Sequence, residues 1–307
     1  MRIGLAVGDV RGPASLDDVI TQVREAAGGF ATAWISQALG LDALTALAIA
    51  GREVPGIELG TAVIPVAQRH PLMLASQALT VQAATGNRLT LGIGTGIAAM
   101  VGGMYGLPTD RPALRMREYL RVLRPLLDGD PVDFTGETLR AVGAVQLRPT
   151  QSPAGLSPSV APRVLLAALG PAMLRVAGEL ADGVATWMTG PRTLAEHIVP
   201  SVNKAAAEAG RPVPRVVAGL PVCVTDDVDE VRARFGEQFA MAGQVPEYRA
   251  MLDRERITSP AELLIAGSEQ EVAQAIRRLE STGITDLMLA PFGTPDEQRR
   301  TTANLGA

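Results

Sequence analysis

Among 307 residues there is a single cysteine, Cys223, and only two histidines, His70 and His197. No intrachain disulfide is possible, and the absence of any Cys/His cluster at metal-ligand spacing excludes a structural zinc. Lysine is almost missing as well: Lys204 stands alone among 28 basic residues. Together with abundant alanine, glycine and proline, this arginine bias points to GC-rich bacterial coding. No apolar stretch reaches the roughly 18 uncharged residues of a membrane span. The opening run Met1 to Val7 is too short for a signal-peptide core. A net charge of −4 and a pI near 5.4 leave no basic footprint for nucleic acid. These absences predict a soluble, cytoplasmic protein with no metal, no membrane and no nucleic-acid partner.

What is present is ample core material, with 47% hydrophobic and 20% charged residues. Short β-rich runs alternate with amphipathic stretches along the whole chain, the pattern of parallel βα units. The strands are read as Ile3–Val7, Thr32–Ile35, Glu58–Ile64, Leu89–Ile93, Val164–Ala167, Val184–Thr186, Val216–Val224 and Asp286–Ala290. Helices are expected near Ser15–Asp18 onward and over Leu44–Ala50, Pro71–Ala84, Ala113–Leu127, Ala172–Leu180 and Leu194–Glu208. The longest helical region is expected over Val228–Asp253, and the last helix over Glu269–Ser281. Residues from about Gly129 to Ser159 read as an insertion with a hairpin. Runs such as Val164-Leu165-Leu166-Ala167-Ala168 suit strands covered on both faces. Eight units, with no Gly-x-Gly-x-x-Gly turn after the first strand, favour one closed (β/α)8 TIM barrel spanning residues 1–307 over a doubly wound open sheet.

In such a barrel the active site lies at the C-terminal ends of the strands. That rim collects Gly8 and Asp9, Ser36 and Gln37, Ala62 to Ile64, Thr95 and Gly96, Leu169 and Gly170, Trp187 to Thr189, Pro221 and Val222, and Ala290 and Pro291. It has no histidine, no lysine and no carboxylate cluster, which argues against hydrolytic, Schiff-base and metal-dependent chemistry. A small, glycine-rich rim suits a large planar cofactor that backbone must approach closely, although ordinary barrel packing gives the same composition. Gly92-Ile93-Gly94-Thr95-Gly96 lacks the Walker lysine and opens no Rossmann unit. Its small residues could seat a ring, with Thr95 donating a hydrogen bond.

Gly170-Pro171 ends a strand and opens a helix whose first N–H groups could hold a phosphate; it also serves as an ordinary connection. His70, before Pro71, reads as a structural hydrogen-bonding residue, His197 as an exposed helical residue, and Cys223 as a buried inert thiol. Trp187 either lines a pocket or packs. Met100, Met104, Trp187 and Met188 would make an apolar pocket for a hydrophobic substrate.

Three groups of motifs resemble the bacterial luciferase-like superfamily, and most closely its actinobacterial branch of coenzyme F420-dependent oxidoreductases. They are Gly60-Thr61-Ala62-Val63-Ile64-Pro65 with Arg69-His70-Pro71; Arg88 through Gly96; and Ala168-Leu169-Gly170-Pro171 with Ala181-Asp182-Gly183. The resemblance implies a luciferase-like barrel and hydride transfer between the deazaflavin coenzyme F420 and a small organic substrate. Flavin mononucleotide (FMN) monooxygenation, or cofactor binding without catalysis, are the alternatives. It implies a bulge with a non-prolyl cis peptide at Ala62-Val63, and cofactor contacts from Gly8, Ala62, Val63, Gly94, Thr95, Gly96, Ala168, Leu169, Gly170, Pro171, Trp187 and Met188. Asp182 would serve the turn before the sixth strand.

The chain departs from the family's sugar-phosphate dehydrogenases at two places. Ser36-Gln37-Ala38-Leu39 stands where they carry an acid-base histidine, and Ile97 where they carry a glutamate. Proton handling therefore falls to Ser36, Gln37 or Thr95. Pairing of such barrels through early helices implies a homodimer across Leu44–Ala50 and Leu72–Ala84.

Overall fold

Eight parallel strands close on themselves in the computed structural model, which describes residues 1–146 and 160–306. In chain order the strands are β1 (Arg2–Val7), β2 (Thr32–Ile35), β3 (Glu58–Thr61), β4 (Ile64–Pro65), β5 (Leu89–Gly94), β6 (Val132–Thr135), β7 (Arg140–Gly143), β8 (Arg163–Ala167), β9 (Gly183–Trp187), β10 (Arg215–Val224), β11 (Ile265–Gly267) and β12 (Asp286–Pro291). The helices are α1 (Leu16–Ala27), α2 (Ala43–Glu53), α3 (Pro71–Ala84), α4 (Ala98–Gly103), α5 (Pro112–Asp128), α6 (Pro171–Leu180), α7 (Pro191–Thr193), α8 (Val199–Glu208), α9 (Val228–Gln238), α10 (Pro246–Glu255), α11 (Glu269–Leu279) and α12 (Pro295–Leu305). The barrel runs β10-β12-β1-β2-β3-β5-β8-β9 and closes where β9 pairs again with β10. Among the described residues no helix is long and apolar enough to cross a membrane, and no cluster of metal-ligating side chains forms.

Alternate residues of each strand face the interior, and they stack in levels. At the N-terminal ends Arg215 bridges Asp286 (2.6 and 3.0 Å) and Glu58 (2.5 Å), and Arg2 reaches the other oxygen of Glu58. Burial alone would raise Glu58, but hydrogen bonds from Arg215, Thr90 and Arg2 hold it below its ordinary value. Above this network lies Trp34, with the Arg215 guanidinium 5.3 Å from its ring centre. Gly4 and Gly60 make room for the indole: a Cβ on either would sit 2.5 or 2.2 Å from its atoms. Ala6, Leu165, Ala185, Val217 and Met288 complete the middle of the barrel.

The outer layer is built from amphipathic helices with regular caps. Ser15 and Asp18 form a capping box on α1, and His70 caps α3 with Pro71 in its first turn. The Ala- and Leu-rich faces of α2 and α3, with Leu44, Leu47, Leu74 and Leu79, are buried against the barrel, while Met73 stays exposed. The predicted insertion contains the antiparallel hairpin β6–β7. Residues 147–159 of that expectation lie outside the described residues.

Four expectations need correction. The third strand is not continuous over Glu58–Ile64; it breaks between Thr61 and Ile64. The region Val228–Asp253 is two helices separated around Gly243 and Pro246, so α5 is the longest helix. Glu269–Ser281 is not last, because α12 follows β12. His197 is buried, not exposed, since a π-helical turn over Leu194–Ile198 rotates it inward.

The α12 terminus ties the top of the barrel together. Glu297 accepts from Thr294 N (2.8 Å) and Thr225 Oγ1 (2.7 Å), and Arg234 reaches it at 3.0 Å. Burial would raise this carboxyl, yet those donors pull it down to about 2. A depressed carboxyl stabilises the fold above its unfolded value and loses that contribution as pH falls toward 2. Thermal melts should therefore show a drop between about pH 4.5 and 2, and Glu297→Gln should remove part of it. After discounting solvent screening, the expected contribution is about 1–2 kcal/mol. Identical acid profiles for the two proteins would contradict this assignment.

Candidate active site

The break in the third strand shapes the C-terminal mouth. Gly60 pairs with Thr90 and Ile64 with Ile93, so four steps on one strand face three on the other: one extra residue, a β-bulge. The Ala62–Val63 peptide within it is cis, as the family resemblance implied. Side chains repair the interrupted ladder. Thr61 Oγ1 accepts from Gly92 N and donates to Gly92 O, both at 2.8 Å. Ser36 Oγ donates to Ala62 O (2.8 Å), and Gln37 N donates to Val63 O (3.2 Å). Gln37 spends its side chain on Leu41 O and Ala43 N at the entry to α2. Ser36 and Gln37 thus hold the bulge in place.

Over this level the interior residues are small. Val63 lies across Gly92 and Gly94, where a Cβ would come within 3.1 and 2.9 Å of its methyl groups, and Ala167 flanks Gly94. Ala62, Val63, Val10 and Trp187 pack on the interior cluster that ends in Ala290. Trp187 also belongs to an aromatic cluster beside the mouth, where Phe235 stacks on Phe239 and meets Phe292 edge-on. Met188 packs inward. It is buried in that cluster with Cys223, at φ +52°, which turns the chain at the end of β9. Burial, then the nearby Glu297 carboxylate, push the Cys223 thiol up to about 12, so it is inert as expected.

Gly8 faces outward onto Ile35 and Val19, and its amide donates to Gln22 Oε1 (2.8 Å). Thr95 and Gly96 open instead onto a cavity of about 620 Å³ between the loops after β4 and β5. Its lining includes Val101 but neither Met100 nor Met104, and Met104 is exposed.

Across the mouth, Gly170 caps α6 with no side-chain acceptor, and Pro171 has no N–H, so the amides of Ala172 and Met173 are free in the first turn. A Cβ on Gly170 would meet nothing within 4 Å. This is a cradle open to an anion. Its approach is set by His197, whose Nε2 lies 2.8 Å from Leu169 O. Ala168 is buried behind it. Asp182 serves the preceding turn: it accepts from Val164 N (2.8 Å) and pairs with Arg124 and Arg211.

Residues 3–286 match the family described as luciferase-like monooxygenase. The chain belongs to that family. The F420-dependent glucose-6-phosphate dehydrogenase of Nocardia farcinica is 30% identical over 239 residues, covering 76% of this chain and 67% of that one. A 5,10-methylenetetrahydromethanopterin reductase of Methanopyrus kandleri is 28% identical over 318 residues, covering 88% and 87%. An F420-dependent secondary alcohol dehydrogenase solved with an F420-acetone adduct superposes with a TM-score of 0.80 at 18% identity, covering 99% and 96%, and shows the shared fold.

As a luciferase-like oxidoreductase the chain is an enzyme, and its mouth is low in titratable groups. His70 has both nitrogens engaged, Nδ1 with Leu72 N (3.3 Å) and Nε2 with Arg140 O (3.0 Å), confirming its structural role. Tyr119 donates to Arg69 O (3.1 Å), and burial holds its phenol above the ordinary value. Sequence reasoning missed His197 as the residue that positions Leu169–Gly170, and missed Tyr105 and Glu247 on the cavity wall.

Proposed function

We propose that this enzyme transfers hydride between coenzyme F420 and a small organic substrate. The observation that carries the reading is the pairing of a side-chain-poor barrel floor with an open helix terminus across the mouth. The relatives named for F420 support the choice of deazaflavin. Gly94, Ala167 and the Ala62–Val63 bulge leave a flat seat for a planar ring, and the α6 cradle fits its phosphate. When bound, the deazaflavin would supply the hydride donor or acceptor at its ring.

The chain's own residues bind and orient. Ser36 and Gln37 fix the bulge, the Ala172 and Met173 N–H groups would hold the phosphate, and Trp187 would screen one side of the mouth from water. With Ser36 bonded to Ala62 O and Gln37 committed to α2, Thr95 has the freest hydroxyl of the three, its only bond among the described residues being a 3.3 Å contact with Gly96 O. Thr95 can therefore hold a proton beside the substrate. A homodimer across α2 and α3 belongs to the same reading, and Met73 of α3 is exposed; a monomeric mass in solution would remove it.

Titration of the purified protein with F420 and, separately, FMN, followed by ring and tryptophan fluorescence, tests the assignment. We expect micromolar or tighter binding of F420 and FMN weaker by at least about tenfold. Preference for FMN would redirect the reading to oxygen-dependent chemistry. Binding of F420 without turnover of any enone, alcohol or imine would favour a non-catalytic carrier.

A further inference from the structure

The cavity beside Thr95 and Gly96 has a volume of about 620 Å³, inside the roughly 300–1,000 Å³ of small-molecule sites. Its walls are largely apolar, with Val66, Pro71, Val101, Leu107, Met116 and Leu139. Its charges can be accounted for one by one. Arg69 pairs with Asp42 at 2.8 Å and Arg115 with Asp110 at 2.8 Å. His70 uses both ring nitrogens on backbone groups. Glu247, at the start of α10, is the remaining charged residue of the lining, and no ion pair or hydrogen bond engages its side chain among the described residues. The cavity therefore has, on its solvent-exposed rim, one carboxylate with no protein partner among the described residues.

We propose that this cavity takes an apolar molecule bearing one basic amine, with Glu247 as its counter-ion. The inference rests on the oxidoreductase reading only in treating that molecule as the substrate, which Thr95 and Gly96 would meet at the mouth. Phosphorylated and carboxylated molecules face the opposite selection: both arginines are already neutralised, and Glu247 repels a second anion.

Calorimetric titration of the whole protein with 4-phenylbutylamine, 4-phenylbutanol and 4-phenylbutyrate tests this, alongside Glu247→Gln. The amine should bind best and the carboxylate worst. Glu247→Gln should weaken the amine about fivefold, the upper range for a solvent-facing ion pair, and leave the alcohol unchanged. Equal binding of amine and carboxylate, or an unchanged amine affinity in Glu247→Gln, overturns the proposal. So does displacement of the amine by F420, which would assign the cavity to the cofactor. F420 titration of the same samples separates the two readings: failure to bind F420 sinks the hydride-transfer assignment and leaves the amine preference standing.

Discussion

Gly170→Asp should weaken F420 binding by about 100-fold or more while leaving the melting temperature unchanged or slightly raised. Position 170 has extended backbone (φ −83°, ψ 157°) that any residue adopts, and a Cβ there meets open space. The folded protein has no steric objection to the substitution. Aspartate is moreover a preferred N-cap, accepting from the second or third amide of the helix and complementing its dipole. Those amides, on Ala172 and Met173, are the ones the cofactor phosphate would need. The substitution removes two charge-assisted hydrogen bonds, each worth about 1.5–3 kcal/mol, and adds a like charge. Losing about 3 kcal/mol corresponds to at least a hundredfold in affinity. Gly170→Ala, which blocks less and carries no charge, should cost far less. An unchanged affinity in the aspartate variant would place the phosphate elsewhere, and a fall in melting temperature would show that Gly170 serves the fold.

Much of this architecture was legible in the residues. Pro71–Ala84 begins and ends where the sequence places it, because proline in the first turn and a solid apolar run leave no other reading. The eight-unit order followed from alternation alone. The bulge at Ala62–Val63 was readable only through the resemblance, since no local rule makes Thr61 stand in for a missing ladder partner. Trp34 shows a different limit. Strands covered on both faces have Thr32, Ala33, Trp34 and Ile35 all buried, so period-2 reasoning has no contrast with which to say that Trp34 fills the barrel.

The helix errors have identifiable physical causes. Thr294-Pro295-Asp296-Glu297 is a complete capping-box signature, so the sequence does carry a start signal for α12. His197 carried no such signal: the π turn that brings it to Leu169 O changes which face points inward, and a 3.6-residue periodicity cannot register it. Gly94 and Gly170 stand where the backbone needs open space, which a glycine in the sequence announces, whereas the local partners that occupy the Gln37 side chain leave no trace in the sequence.

Arg215→Ala should be the most damaging single change to stability, at about 3 kcal/mol, because it leaves buried Asp286 and half-buried Glu58 with only the partly exposed Arg2 as counter-charge. Burial by itself would lower the arginine's proton affinity, yet Asp286 and Glu58 raise it above the ordinary value, so both partners favour the charged form. The guanidinium joins four strands at once: β10 through its own backbone, β12 through the two bonds to Asp286, β3 through Glu58 and β5 through Thr90. It also underlies the Trp34 ring, so tryptophan emission should change with the same substitution. Lysine should not rescue the loss, since a single ammonium cannot reproduce the fork that grips Asp286 while reaching Glu58. Replacing Arg215 and Asp286 together by apolar residues should cost less than the arginine change alone. Arg215 sits about 20 Å from the mouth along β10, at about 3.3 Å per residue. Well below the melting transition, F420 affinity should therefore stay within about threefold of the parent. Urea midpoints for the single and double variants decide the matter. A loss under about 1 kcal/mol would mean that water reaches this network and screens it, and the closed bottom of the barrel would then need another explanation.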